Sequence, residues 1–429
     1  MLAWLEISML LVELALLAAV ARTAAGVLGA LLYVQAGYWA IGYVVRPTLL
    51  LVVRPQPGLG DPIADPRLAI YGYEAAIAEA LRIAVAGIGI YLVVVILAVR
   101  LARGRAARST TRLSIRTGHA VVLLAIGWGF RLAFLATGNT GVQTVAGLAA
   151  IAVGALVLFS PNPYRPWMII GILLSEFAWS YLTTSKTPAM AFALWFVIRI
   201  LLDRKRVKRY LVVAAAIGLV AFFAIQSAKV EQGRLTSSVA YADAYPLWAR
   251  PVLPLIARFD ALQPATDAWL AGPGSWLGPL EASGQFLTSL IPQFLVADVK
   301  PLAGYQWGAE VRVQSLNVSA GANLAEGVFS EGWVIFGWSG VVVGSILLAL
   351  ATWATAGFLT SRHHFAVFLG LALTSAPLLF ERGVLGIGEG LGKGLQVALI
   401  ATLLVLFLRL RIPSREAATS RATVTAGRA

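Results

Sequence analysis

Long runs of apolar residues, separated by short polar segments, make up most of this chain. The runs are close to twenty residues long, the length that an α-helix needs to cross the hydrocarbon of a bilayer. Eleven such runs cover residues 5–20, 24–45, 75–99, 119–136, 142–159, 167–181, 189–202, 211–225, 328–356, 365–380 and 395–407. The pattern predicts an all-α polytopic membrane protein with about 11 transmembrane helices.

Two polar stretches interrupt this pattern. The first, at 47–74, contains Pro47, Pro55, Pro57, Pro62 and Pro66, which we expect to prevent a regular helix. The second, at 227–327, is the one long segment that does not fit into a bilayer. It mixes apolar and polar residues at helix-like spacing and is rich in tryptophan, which predicts short interfacial helices in a large extracytoplasmic loop.

The large loop therefore divides the chain. Residues 1–226 form a transmembrane bundle of about eight helices, and residues 328–410 supply about three more. Residues 411–429 are basic and rich in small polar residues, which predicts a disordered cytoplasmic tail. Because binding and catalytic groups concentrate in loops held by a rigid scaffold, we expect the active site in 227–327.

The distribution of positive charge predicts the orientation. The chain is 59% hydrophobic and 13% charged, with a net charge of +14. Its dense basic runs lie at 100–116, at 204–209, around Arg362 and in the C-terminal tail, and eleven spans place all four on one side. By the positive-inside rule that side is cytoplasmic, so the N-terminus, 47–74 and the large loop lie outside.

Composition also excludes several kinds of chemistry. The chain has no cysteine and three histidines, which argues against disulfides, thiolate catalysis and a cysteine- or histidine-based metal centre. No phosphate-binding glycine motif is present in a suitable context. We therefore predict no cofactor, no metal and no nucleic-acid partner.

Cations in the predicted outer segments need an explanation, because the positive-inside rule disfavours them there. Arginine binds phosphate oxygens through a planar fork, and lysine binds them as a point charge. The candidates for an anionic substrate are Lys186, Arg258, Lys300 and Arg382. Arg250 and Arg312 are better explained by charge balance with acids of the same loop, an explanation that stays open for the others.

Acidic and aromatic residues complete the candidate chemistry. Glu326 and Glu331 flank the start of the run at 328–356, where an unpaired acid is costly, and either could take a proton from a hydroxyl. Glu176, inside the run at 167–181, is a weaker candidate for the same role, and a hydrogen bond within the bundle is its alternative explanation. Trp276 and Trp307 could stack on sugars, although an interfacial aromatic belt is the better explanation of any single tryptophan here.

Several of these stretches, in this order, resemble a known family. They are TTSKTP at the predicted outer turn, ARFDAL early in the large loop, IPQFLVADVKP late in it, NLAEGVFSEGWVIFGWSGVVVG at the following helix, and the later ERG turn. Together they resemble the Wzy-type oligosaccharide repeat-unit polymerases, which build O-antigen and capsule. The chain departs from the family pattern at Gln293 and Val296, where arginine and an aromatic residue are usual, and this shifts weight to Lys300.

The resemblance implies a reaction. The family transfers a growing glycan from undecaprenyl diphosphate to a sugar hydroxyl of the next lipid-linked unit, at the outer face of the bacterial cytoplasmic membrane. By this analogy Lys186, Arg258, Lys300 and Arg382 hold the diphosphate. Glu331 or Asp260, with Glu326 beside them, orients the acceptor. The implied partners are the lipid-linked oligosaccharide, the bilayer, a chain-length regulator and a flippase.

Three other functions stay open at this stage. The motifs do not separate polymerases from the related O-antigen ligases. Another lipid-linked-sugar glycosyltransferase would use an acid in the first outer loop, where Asp61 and Asp65 are available. A transporter is expected to show internal repeats, and none is evident.

Overall fold

We describe the fold from a computed structural model. It describes residues 1–24, 26–57, 61, 63–102, 115, 117–161, 163–183, 185, 187–203, 216, 219–220, 222–224, 226–227, 230–231, 242–296, 300–312, 324–375 and 378–411. These residues form helices and connecting segments, with no strand among them. The all-α class predicted from the apolar runs is confirmed.

The described helices vary widely in length. In chain order they are α1 (Leu2–Thr23), α2 (Gly26–Ala40), α3 (Arg46–Val53), α4 (Pro66–Ile70), α5 (Tyr73–Ala102), α6 (Thr117–Thr137), α7 (Thr140–Phe159), α8 (Pro166–Leu182), α9 (Thr187–Asp203), α10 (Leu253–Arg258), α11 (Leu262–Ala271), α12 (Pro279–Leu290), α13 (Ala303–Gln306), α14 (Val328–Phe336), α15 (Trp338–Leu359), α16 (His364–Thr374), α17 (Leu378–Glu381) and α18 (Val384–Arg411). π-helical turns follow α2 at Ile41–Val45 and α13 at Trp307–Val311.

Within the described ranges, seven helices are long and apolar enough to cross a membrane. They are Leu2–Thr23, Gly26–Val53, Tyr73–Leu101, Thr117–Thr137, Gly141–Phe159, Trp338–Leu359 and Val384–Leu408. Pro166–Leu182 and His364–Thr374 are apolar but shorter. The chain is thus a multi-pass membrane protein. The predicted count of eleven is not confirmed, and most of the run at 211–225 falls outside the described residues, as does the tail at 412–429.

The second span continues further than the sequence predicted. We expected Pro47 to end helical structure, yet α2 runs through the π turn at Ile41–Val45 into α3 without a break. Pro47 occupies the first turn of α3, and the wider π turn before it relieves the clash between a proline ring and the carbonyl one turn earlier. The helix instead ends at Arg54, which adopts a left-handed conformation with φ 49°.

The predicted single span at 328–356 is two helices. Gly337 separates α14 from α15 with φ 61° and ψ −140°, a combination that a side chain would strain. The chain reverses there, so that the backbones of Gly332 and Gly340 meet without room for a Cβ atom. With nine residues, α14 is only about 14 Å long and too short to cross a bilayer.

The large loop packs into the bundle instead of forming a separate unit. Leu253 of α10 and Leu262 of α11 belong to the same buried core as residues of α1, α2 and α5. Trp307 and Phe329 of α14 lie in that core too. A second core joins α7, α9, α16 and α18. This packing brings the end of α10, the start of α14 and the joint between α17 and α18 together.

Candidate functional site

Two ion pairs meet near the start of α18. Arg258, the last residue of α10, places a guanidinium nitrogen 2.7 Å from Glu381 at the end of α17. Arg382 follows Glu381 directly in the chain. Its guanidinium nitrogen Nη2 lies 3.0 Å from Glu326 Oε1 and 3.8 Å from Glu389 Oε2. We call the set of Arg258, Arg382, Glu326, Glu331, Glu381 and Glu389 the arginine cluster. The fold therefore unites Arg258, Glu326, Glu331 and Arg382, which the sequence singled out from three distant motifs.

Two buried glutamates hold the first turn of α18. The Leu385 amide donates to Glu331 Oε1 at 3.2 Å, and the Val384 amide donates to Glu331 Oε2. The Gly383 amide donates to Glu326 Oε2 at 3.2 Å. The first amides of a helix have no partner inside it and carry partial positive charge, so carboxylates stabilise them. Both side chains thereby position the joint that carries Arg382.

The joint leaves little room for a side chain at Gly383. A Cβ atom at Gly383 would collide with the carboxyl group of Glu331. The amide of Gly327, which has φ 67°, donates to the carbonyl of Glu381 at 3.0 Å. The backbone of the α17–α18 joint therefore lies directly against the carboxyl groups of Glu326 and Glu331 and against the backbone at the start of α14.

Burial changes the proton affinity of these glutamates. Loss of solvent, reinforced by the neighbouring Glu326 carboxylate, raises the pKa of Glu331 to about 8. Burial also raises the pKa of Glu326, although Arg382 opposes that rise. Glu331 therefore gives up or takes up a proton near neutral pH.

The arginines, rather than these glutamates, face the surroundings. Side-chain exposure is 23% for Arg258 and 15% for Arg382, whereas Glu326 is fully buried and Glu331 is 1% exposed. The prediction that Glu331 or Glu326 orients a sugar hydroxyl needs correction, because their carboxyl groups are enclosed by protein and engaged with α18. They position the cluster, and the arginines can meet an anion.

Asp260, predicted to share the acceptor role, does not join the cluster. Its carboxylate pairs with the buried Arg46 and accepts the Gln263 amide at 3.0 Å. Arg46 also donates to the carbonyl of Ile63 at 2.6 Å and 3.0 Å. Asp260 thus anchors the large loop to the end of the second span, which corrects the predicted acceptor role.

A buried network extends from this anchor. Asp267 is fully buried and accepts from Arg67 at 2.6 Å, from Arg312 at 2.6 Å and from the Trp307 indole at 3.0 Å. The charge-balance explanation of Arg312 is therefore supported by its contacts. We call the set of Arg46, Asp65, Arg67, Asp260, Asp267 and Arg312 the anchor network.

The two acids available to a different glycosyltransferase have structural contacts. Asp61 accepts the Ile63 amide at 2.8 Å and the Tyr245 hydroxyl at 2.8 Å. Asp65 caps α4 and binds Arg67 at 2.6 Å. Burial alone would raise the pKa of Asp65, but Arg67 outweighs it and the pKa is lowered. Both residues are buried, which weakens that alternative.

The predicted sugar platform is smaller than expected. Trp307 is fully buried in the core, so no sugar can stack on it, and this part of the prediction is wrong. Trp276 is partly exposed, donates to Glu310 at 2.7 Å and meets Trp307 edge to face at 5.6 Å between ring centroids. The indole–Asp267 hydrogen bond links the buried Trp307 to the anchor network.

The remaining predicted cations lie apart from the arginine cluster or outside the described residues. Lys186 falls outside them. The ammonium group of Lys300 donates to the Ile291 carbonyl beside α12, and not to the arginine cluster. Burial and the neighbouring Lys393 lower the pKa of Lys300. Of the four cations predicted to hold a diphosphate, the described residues place Arg258 and Arg382 in the arginine cluster.

Sequence reasoning missed four members of these sites, which are Glu381, Glu389, Arg46 and Arg67. Glu381 and Glu389, which pair with the arginines, are acids in or beside apolar runs, a signal that could have flagged them. Arg46 sat before Pro47 in a segment interpreted as a loop. Glu176, a weaker candidate base whose alternative was a hydrogen bond within the bundle, binds Arg131 at 2.7 Å and 2.9 Å, which favours that alternative.

Comparison with known proteins adds no identification. No family model, curated protein or solved structure matches this chain. Inference about function therefore rests on the residues and their geometry.

Proposed function

We propose that this chain polymerises oligosaccharide units linked to undecaprenyl diphosphate, at the outer face of a bacterial cytoplasmic membrane. The supporting observation is the arginine cluster, in which two partly exposed arginines from distant motifs are brought together by carboxylates. A diphosphate leaving group develops negative charge as it departs, and fixed guanidinium groups stabilise that charge.

In the proposed reaction, a sugar hydroxyl of the incoming unit attacks the anomeric carbon of the growing glycan. The bond from that carbon to the diphosphate oxygen breaks, and the diphosphate leaves with the electron pair while Arg258 and Arg382 hold it. The hydroxyl proton passes to a carboxylate. Glu381 and Glu389 are the partly exposed acids of the arginine cluster, at 10% and 13%, and Glu381 lies against Arg258.

Fixed arginines suit this role better than flexible ones. Burial alone would lower the pKa of Arg258, but Glu381 and Tyr38 outweigh it and the pKa is raised, so the charge persists at every physiological pH. Each arginine is held by carboxylate contacts before substrate arrives. Such preorganisation spares the cost of ordering the group during the reaction.

The surrounding biology follows as part of the proposal. The large loop faces outward, the N-terminus lies outside and the C-terminus is cytoplasmic. A flippase would deliver lipid-linked units to the outer leaflet, and a chain-length regulator would limit the product. O-antigen, capsule and exopolysaccharide are the product classes that the resemblance implies.

The test is a reconstituted assay with Arg258→Ala. Purified protein in lipid receives an undecaprenyl-diphosphate oligosaccharide without nucleotide or added metal, and products are resolved as a ladder. We expect Arg258→Ala to reduce ladder formation by about 100-fold or more, the usual effect of removing a group that stabilises developing charge.

Arg250→Ala is the matched control. Arg250 lies in the same loop and pairs at 3.0 Å with Asp243, which is 92% exposed, so its loss should leave the ladder unchanged. Wild-type rates in folded Arg258→Ala would overturn the assignment of Arg258. Transfer of a single glycan to an unrelated acceptor by the wild type would instead identify a ligase, and substrate movement without a new bond would identify a transporter.

A further inference from the structure

Two spans, α1 and α5, carry ionisable residues along the edge where they pack together. The amino group of Met1 binds Glu74 in the first turn of α5. Near the middle of α1, Glu13 Oε1 lies 2.8 Å from the position that a Cβ atom of Gly89 would occupy. The two helices therefore run in the same direction, with Glu13 beside Gly89.

More charged residues lie about two turns earlier on each helix. Seven residues make about two turns, so Glu6 lies on the same face of α1 as Glu13, and Arg82 on the same face of α5 as Gly89. Because the helices are parallel, Glu6 and Arg82 lie at the same level. Arg82 also pairs at 3.0 Å with Glu79. We call Glu6, Glu13, Glu79 and Arg82 the carboxylate seam.

The carboxylate seam is open to the surroundings of the bundle. Arg82 and Glu79 keep 49% and 41% of their side chains exposed, and Glu6 and Glu13 are partly exposed. The exposed side chains that flank Glu13 on α1 are apolar, namely Met9, Val12 and Leu16. Ionisable residues in a span almost always face the bundle interior, a water-filled cavity or a partner, because lipid does not solvate them. Their position at an apolar outer edge indicates that something covers them.

Glu13 has the clearest need for a partner. Its Oε2 atom is buried and has no hydrogen-bond partner among the residues that the structure describes. A buried polar atom without a partner costs free energy, so such atoms normally have a donor. Beside Glu13, Ala86 and Gly89 offer small side chains on α5, which allow another helix to approach closely.

The charge of the carboxylate seam indicates what kind of molecule covers it. The seam has three carboxyl groups and one guanidinium, so a second copy of the chain would bring more acid than base. A lysine or arginine supplied by a different protein would give Glu13 its donor and balance the charge. At mid-bilayer depth that residue has to lie on a helix, because a helix satisfies its own backbone in lipid.

We propose that the carboxylate seam docks a transmembrane helix of a different membrane protein, whose lysine or arginine binds Glu13. Ala86 and Gly89 allow the close approach, and Glu6 and Glu79 add negative charge about two turns away. The seam has this role whether or not the chain is a polymerase, because none of its residues belongs to the arginine cluster.

The test uses synthetic probe helices in lipid vesicles that contain the full-length chain. One probe is a leucine–alanine helix of about twenty residues with a central lysine, and the matched probe has leucine in place of that lysine. The chain has no cysteine, so Ile70→Cys, at an exposed position before α5, takes a single donor dye. Energy transfer to a dye on the probe measures binding. We expect the lysine probe to bind about tenfold more tightly than the leucine probe.

Glu13→Gln separates binding at the carboxylate seam from general association in lipid. The amide keeps the shape of the side chain and removes its charge, so we expect both probes to bind this variant equally. Glu281→Gln on α12, outside the seam, is the matched control and should keep the tenfold preference. The melting temperature of each variant in detergent shows whether it is folded.

Three outcomes would overturn the proposal. The first is equal binding of the two probes to the wild type, which needs no variant to interpret. The second is a lysine preference that persists in folded Glu13→Gln. The third is energy transfer between differently labelled copies of the chain that disappears in Glu13→Gln, which would assign the carboxylate seam to a second copy.

Discussion

Two ion pairs that begin only two residues apart in the large loop have different surroundings. Asp260 pairs with Arg46, which is 1% exposed and also binds the Ile63 carbonyl. Arg258 pairs with Glu381 and keeps 23% of its side chain exposed. Neighbouring positions on one loop thus separate a buried anchor from a group that can reach an anion. Arg46 and Arg258 are both arginines, so residue type does not distinguish the two roles. The exposure of the side chain and the number of its contacts within the protein do.

Breaking the buried pair should have the largest effect. Arg46→Ala removes the buried partner of Asp260, whose side chain is only 11% exposed, and breaking a buried pair typically costs about 3–5 kcal/mol. We expect most of the protein to be lost from the folded fraction, measured by size-exclusion chromatography and thermal unfolding in detergent. Arg82→Ala is the control, because its pair with Glu79 is 49% and 41% exposed. A normal melting temperature for Arg46→Ala would show that the anchor network does not hold the loop.

Disturbing the joint of the arginine cluster should have a smaller effect on folding and a large one on activity. Gly383→Ala places a methyl group against the carboxyl of Glu331 and displaces Arg382. We expect ladder formation to fall by about tenfold or more, while the folded yield stays near that of the wild type. Gly284→Ala on α12 is the control, because its Cβ would meet nothing within 4 Å. Equal activity of the two variants would exclude a positioning role for the joint.

The smallest predicted effect is on the pH dependence of stability. The pKa of Glu331 is about 8 in the folded chain against an ordinary 4.5, so the folded state binds this proton more tightly. Its stabilising effect is complete below about pH 4.5 and is lost as the pH rises through 8. The melting temperature of the wild type should therefore fall between pH 6 and pH 9.

Glu331→Gln should flatten that decline, since an amide does not titrate, and the other glutamates in the protein interior, Glu326 among them, should account for the slope that remains. Glu281→Gln, at an exposed position on α12, serves as the control and should follow the wild type. An unchanged slope in Glu331→Gln would mean that Glu331 is already ionised at neutral pH.

The pattern of apolar and polar residues predicts the long helices of this protein, because their formation depends on residues close together in the chain. Apolar runs mark α1, α5, α6, α7 and the later part of α18, because a helix satisfies its own backbone and needs only an apolar surface to enter a bilayer. The short helices between residues 250 and 311 were recognisable from the mixed composition of that segment. The candidate cations Arg258 and Arg382 were found because charge is unusual where they lie.

Tertiary packing decided the rest, because it depends on partners far away in the chain. The reversal at Gly337 and the continuation through Pro47 depend on the backbone conformation at each point, and residue type alone did not reveal them. Trp307 became core and Asp260 became an anchor because the large loop packs into the bundle.

The sequence by itself determined a multi-pass helical membrane protein with unusual charges in its large loop. Only the tertiary structure decided which charges neutralise one another, joining Arg258 to Glu381 and Arg382 to Glu326 and placing the ammonium group of Lys300 against the carbonyl of Ile291. The physical reason is that electrostatic energy depends on distance and burial, and those quantities exist only once helices distant in the chain have packed together.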